Sequence, residues 1–167
     1  MAKKSTVYIA RAGVFSALYI VLSLLVFPFA SGAIQVRLGE ALTLLPLLFP
    51  EAIASLFIGC ILVNIITGCA LIDVFFGAFI TLASAVLTFF VGRAVKSAVL
   101  KITLGGIFPI LLNAFLLPLI WYFCYGELEY VYIIQVLFVL LGQTVSIYGL
   151  GSIMYLAIER SNLKKIL

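Results

Sequence analysis

The sequence predicts an all-α integral membrane protein, a bundle of six transmembrane helices with both termini cytoplasmic. Three observations carry this expectation. First, 66% of the 167 residues are apolar and only 10% are charged, with a mean hydropathy of +1.36. A soluble fold of this length cannot hide so much apolar surface, whereas a bilayer accepts it directly. Second, nine of the ten basic residues, all but Arg37, gather in three clusters: Lys3, Lys4 and Arg11; Arg93, Lys96 and Lys101; and Arg160, Lys164 and Lys165. The positive-inside rule places all three in the cytoplasm, so an even number of spans separates successive clusters. Third, the roughly 80 residues between the first two clusters suit four spans of about 20 residues and are far too many for two. The stretch after Lys101 then makes one out-and-back pair around an acidic turn at Glu127 and Glu129.

The elements follow in order within a single domain, 1–167. Helix one is expected over 6–27, with Pro28 suited to its stop. Although Lys3 and Lys4 precede it, the run is longer than a signal-peptide core and is read as a retained helix. Within it, Gly13 and Ala17 form a small-xxx-small pair, overlapped by Ala12 and Ser16. Spacing alone favours packing against the protein's own helices. Residues 29–39 form a polar outer loop long enough to close over something. Helix two, 38–49, is short and carries Pro46, and short proline-interrupted segments point to binding sites in transporters. Helix three, 50–66, opens on Pro50 and Glu51, as a positive helix start favours. Helices four, five and six are expected over 71–92, 104–124 and 131–157.

Few polar groups interrupt these spans. Arg37 and Glu40 are three residues apart, so a helix places both on one face; they are either an interfacial ion pair or part of a site. Asn64 reads as an interhelical hydrogen bond or a ligand contact, and Asp73 as a favourable helix start or a ligand contact. By the topology above, Arg37, Glu40, Asn64 and Asp73 all lie toward the outer side and converge like a pocket. Asn113 and Gln143 are deep amides that need partners. The aromatic residues flanking the outer turn are by default an interfacial belt, from which Trp121 and Tyr125 are kept as ligand candidates.

Several functions lack their residues. The sequence has no histidine and three widely separated cysteines, so no metal site, disulfide framework or catalytic residue is expected, and no cofactor. The basic clusters follow topology rather than a nucleic-acid face. No GxxxxGK[ST] loop is present, so energy for movement comes from elsewhere. The polar groups do not form rings along a pore, which argues against a channel.

The strings QVRLGEALTLLPLLFPEA, LFIGCILVN and LIDVFFGAFITLASA resemble the QueT family, the queuosine-precursor branch of the energy-coupling-factor (ECF) substrate-binding subunits. The resemblance covers essentially the whole chain and implies the six-helix S-component fold in a bacterial cytoplasmic membrane. It implies capture of a vitamin-like compound outside, beneath a loop between helices one and two. It further implies docking on a transmembrane partner that carries two cytosolic ATPases. Helix one of such subunits carries an AxxxA-type partner contact, here matched by Gly13 with Ala17 and Ala12 with Ser16. The implied cargo is a 7-deazaguanine base, foremost 7-aminomethyl-7-deazaguanine. A carboxylate accepts two neighbouring N–H groups of a guanine-like edge, a role for Glu40 or Asp73. Asn64, Asn113, Gln143 or Arg37 would donate to its carbonyl, and the second acid or an aromatic face would receive the aminomethyl cation. The alternatives are another vitamin or purine-like cargo in the same architecture, or a non-transporting scaffold whose polar residues are all interhelical glue.

Overall fold

The structure, a computed structural model, describes residues 2–26, 36–126, 128 and 130–161, and every regular element among them is helical. In order these are α1 (Ala2–Val26), a 3-10 helix (Leu38–Leu47), α2 (Glu51–Ile66), α3 (Leu71–Ala94) and α4 (Ala98–Tyr125), followed by a final rod. The rod joins α5 (Tyr132–Thr144), a π-helical stretch (Val145–Gly151) and α6 (Ser152–Arg160). Four helices are long and apolar enough to cross a membrane: Ser5–Val26, Leu71–Ala94, Ala98–Tyr125 and Tyr132–Arg160. The protein is therefore a multi-pass membrane protein. Most of the expected outer loop, residues 29–35, lies outside the described residues, as do Phe27, Pro28, Glu127, Glu129, Lys164 and Lys165.

Polar groups face inward and apolar ones outward, as a lipid solvent requires. On α3, Phe75, Phe76, Phe79 and Phe90 are exposed, while Asp73, Gly77, Thr81, Ser84 and Thr88 are buried. Those five recur every three to four residues and form one stripe along the inner face.

The 3-10 helix is the central strut. It packs on α1, α2, α3, α4, α6 and the π-helical stretch, and Gly39 to Leu47 are all buried. The sequence expectation was an ordinary helix to residue 49. The tighter winding has physical causes: Pro46 offers no N–H to an α-helical bond, and Pro50 follows closely. At about 2 Å rise per residue, ten residues also span about 20 Å instead of the 15 Å of an α-helix. Helix five likewise begins at Ala98 rather than residue 104, because Lys101 can lie inside a helix and run its stem along the surface to water.

Glycines let the backbones touch this strut. A Cβ on Gly151 would lie 2.7 Å from the Ala41 carbonyl oxygen, and one on Gly92 would lie 2.7 Å from that of Leu47. Backbone cannot swing aside as a side chain can. Gly151→Ala is therefore expected to destabilise the fold by about 1–3 kcal/mol, as overpacking does. The control is Gly149→Ala, where a Cβ meets nothing within 4 Å. Thermal unfolding in detergent should show a lower midpoint for the first variant only; equal midpoints would mean that the π-helical stretch yields without cost.

Paired contacts set the direction of each element. Ser16 donates to the Ser55 carbonyl at 2.9 Å, and Arg11 pairs with Glu51 at 3.1 Å, so α1 and α2 run parallel with a constant offset. The Phe15 and Phe49 rings, 5.3 Å apart, and the packing of Gly39 on Tyr19 and Ser23 make the strut antiparallel to both. Cys60 meets Thr81, and Thr88 donates to the Gly105 carbonyl, which continues the alternation through α3 and α4. Met154 and Ile158 pack on the core that holds Phe15 and Phe49. The start of α1 and the end of α6 thus share one end of the bundle.

Candidate functional site

Glu40 is a deeply buried carboxyl group, only 2% exposed. Its Oε1 accepts a hydrogen bond from the Tyr19 hydroxyl at 2.9 Å, while Oε2 has no partner among the described residues. Two glycines fix the tyrosine. A Cβ on Gly59 would come within 2.9 Å of the Tyr19 ring and one on Gly39 within 3.3 Å, so the ring is clamped between α2 and the strut. Locally, Glu40 opens the 3-10 helix, with its N–H bonded to the Arg37 carbonyl at 3.0 Å and Thr43 donating back to its own carbonyl at 2.7 Å. Backbone and phenol together aim one carboxylate oxygen into the interior.

Five more buried side-chain atoms have no partner among the described residues: Arg11 Nε, Ser84 Oγ and, on three amides, Asn113 Nδ2, Gln135 Oε1 and Gln143 Oε1. Leu44, Ile110 and Ile147 share one packed apolar cluster. Glu40, Asn113 and Gln143 each stand one turn beyond a member of that cluster, all toward the end opposite Arg11. Gln135 adjoins Val136, which packs with Ala114 and Val139 one turn further on. An unpaired buried polar atom costs about 1–3 kcal/mol, so such atoms call for a ligand or water to complete them.

Toward the rim the site continues through α2 and α3. Cys60 Sγ accepts from Thr81 at 3.5 Å and from Asn64 at 3.7 Å. A Cβ on Gly77 would lie 3.3 Å from Asn64 Nδ2 and 3.8 Å from Asp73 Oδ1, so these two heads share the space that the glycine leaves open. Asp73 is 6% exposed, with Cys69 and Trp121 beside it. Arg37, half-buried, lies within electrostatic range of both Glu40 and Asp73. The Tyr125 hydroxyl accepts from the Ala70 N–H at 3.4 Å, but its side chain is 56% exposed and sits at the edge.

The structure thus brings together Arg37, Glu40, Asn64, Asp73 and Trp121, sets Asn113 and Gln143 one turn beyond the apolar cluster that Glu40 also borders, and leaves Tyr125 peripheral. Sequence reasoning missed Tyr19, Cys60, Thr81 and Gln135 as neighbours of this centre. The inner stripe of α3 could have exposed Thr81 and Ser84; nothing local marks Tyr19, which acts from another helix. Of the small residues on α1, Gly13 and Ala17 are exposed, Ala12 is half-buried and Ser16 is committed to α2. A Cβ on Gly13 would meet nothing within 4 Å, so this pair does not pack on the protein's own described helices as spacing had favoured. A separate groove of about 360 Å³ between α3 and α4, lined by Ile72, Phe76, Leu116 and Phe123 among others, is wholly apolar and suits lipid rather than a polar cargo.

A helical multi-pass membrane protein with an unsatisfied polar centre walled off from lipid has the build of a solute-binding membrane transporter component. The QueT transporter family model matches residues 9–160, and the chain belongs to that family. It is a family of transporters, not of enzymes. No curated protein and no solved structure matches the chain.

Proposed function

We propose that this chain is the substrate-binding subunit of an ECF-type importer in a bacterial cytoplasmic membrane. It captures a queuosine precursor, a 7-deazaguanine base and foremost 7-aminomethyl-7-deazaguanine, from outside and delivers it to the cytoplasm. One observation carries the reading: Glu40 Oε2, Asn113 Nδ2, Gln135 Oε1 and Gln143 Oε1 are each buried without a partner among the described residues. A planar base rich in N–H groups with a carbonyl on the same edge would complete this set. The family membership supports the cargo class. The three basic clusters support six crossings with both ends inside, and the missing phosphate loop supports an energy source on two cytosolic ATPases.

The test is calorimetric titration of the purified protein in detergent with 7-aminomethyl-7-deazaguanine, its 7-cyano counterpart, queuine and guanine. Tight binding of one deazapurine with weak binding of guanine is expected. A folded sample that binds none of them would overturn the cargo assignment.

The exposed Gly13 and Ala17 face would receive the transmembrane partner, because small residues let a second helix approach where lipid gives no hydrophobic drive. Ala17→Leu is expected to abolish co-purification with that partner and its ATPases while leaving ligand affinity unchanged. Normal recovery of the complex would remove this face from the interface.

A further inference from the structure

Resting on the cargo reading above, we infer that two of the buried acids, Glu40 and Asp73, divide the ligand between them. Glu40, set by Tyr19, reads the N–H edge of the base, and Asp73 at the rim reads the charge on the substituent at the other end.

Glu40 is the deep anchor. An amide can turn over to present either oxygen or nitrogen, so Asn113, Gln135 and Gln143 adapt to what they meet. An ionised carboxylate cannot adapt; it only accepts. With Oε1 accepting from Tyr19 and Oε2 unpaired among the described residues at 2% exposure, Glu40 offers a free acceptor oxygen to N–H donors of whatever occupies the interior. Asn113 and Gln143, one turn beyond the same apolar cluster, can then serve a neighbouring carbonyl.

Asp73 is placed differently. It lies two turns along α3 from Thr81, which meets the Cys60 beside Tyr19, a separation of about 12 Å at about 1.5 Å per residue. A fused two-ring base with a substituent on its far ring, hydrogen-bonded at both ends, covers a span of that order. At the rim the Trp121 indole, a hydrogen-bond donor beside the Asp73 carboxylate, helps to hold that carboxylate in place. Arg37, within range of both acids, keeps the rim from being purely anionic, so a neutral substituent is still admitted. Tyr19 is a positioning residue that touches the ligand only through the oxygen it leaves free.

The experiment compares ligands on the wild-type protein before any substitution. Removing the 2-amino group from the base is expected to weaken binding at least tenfold whatever the 7-substituent. Replacing the aminomethyl group by the uncharged hydroxymethyl group is expected to weaken it at least tenfold as well. Asp73→Asn should then erase the second preference, bringing aminomethyl and hydroxymethyl ligands within threefold, while the 2-amino preference persists. Tyr19→Phe should reduce the 2-amino preference and spare the 7-substituent preference. Loss of both preferences together in Asp73→Asn would overturn the division of roles while leaving the cargo reading intact. Wild-type protein indifferent to the 7-substituent charge would overturn the role of Asp73 without needing any variant. Failure of every deazapurine to bind would instead overturn the cargo reading, and this inference with it.

Discussion

Glu40→Gln is expected to weaken binding of the deazaguanine ligand by about 100-fold, close to 3 kcal/mol, and to leave thermal stability unchanged or raised. Both halves follow from one carboxylate. Truncating one partner of a buried, charge-assisted contact costs about 2–5 kcal/mol, because the ligand donors are left facing a weaker or misdirected group. In the empty protein the balance reverses. A carboxylate at 2% exposure has lost its water, and its Oε2 recovers no hydrogen bond among the described residues. An amide there is cheaper to bury, and function held at the expense of fold stability is the usual signature of a binding site. Titration and unfolding on the same preparation separate the readings. A lower unfolding midpoint with wild-type affinity would identify Glu40 as interhelical glue and return the chain to the scaffold alternative.

That acid illustrates how far the sequence could be read. A carboxylate beside an arginine in an almost uncharged apolar run is conspicuous because charges at membrane depth are costly. Arg37, Glu40, Asn64 and Asp73 could therefore be gathered without any coordinates. The apolar runs were equally legible, since each crossing must satisfy its own backbone and so be a helix. What could not be read was anything set by contact between distant residues. Tyr19 looks like one more aromatic residue in helix one, and only the packing of Gly39 and Gly59 against its ring makes it a partner for Glu40. Gln135 lies in the first turns of an outer helix and carries no signal that it turns inward.

The winding of the two irregular segments was hidden for the same reason. Pro46 announces an interruption, but not a ten-residue 3-10 helix. The π-helical stretch Val145–Gly151 contains no proline at all. The two segments lie against each other, with Gly151 on the Ala41 carbonyl. A strut wound tight and a neighbour wound wide change the residues that meet along a shared face, and Glu40 and Gln143 border this contact on the site side. Irregular helices of this kind recur at functional sites, and here they shape the floor of the polar centre.

Far from that floor, Arg11→Met is expected to cost about 1–3 kcal/mol of stability, the range for leaving a buried polar group without its partner, since the arginine side chain is itself 27% exposed. Arg11 reaches Glu51 at 3.1 Å, with the glutamate side chain only 3% exposed. Glu51 is well placed at the start of α2, where the helix dipole favours a negative charge, but that alone does not repay removing a carboxylate from water. The guanidinium supplies the rest and also lies over the Phe49 ring, 6.0 Å from its centroid. The sequence reading assigned Glu51 to its helix start and Arg11 to the cytoplasmic cluster, and so saw two separate residues where there is one bond joining α1 to α2. The pair holds the parallel offset that puts Tyr19 against Gly59 and hence against Glu40. Loosening it should therefore lower both the unfolding midpoint and ligand affinity, although neither residue touches the site. Adding Glu51→Gln to Arg11→Met removes the orphaned charge and is expected to recover most of the lost stability. A double variant no more stable than Arg11→Met alone would show that packing of the arginine stem on Phe49, rather than charge pairing, is what the bond contributes.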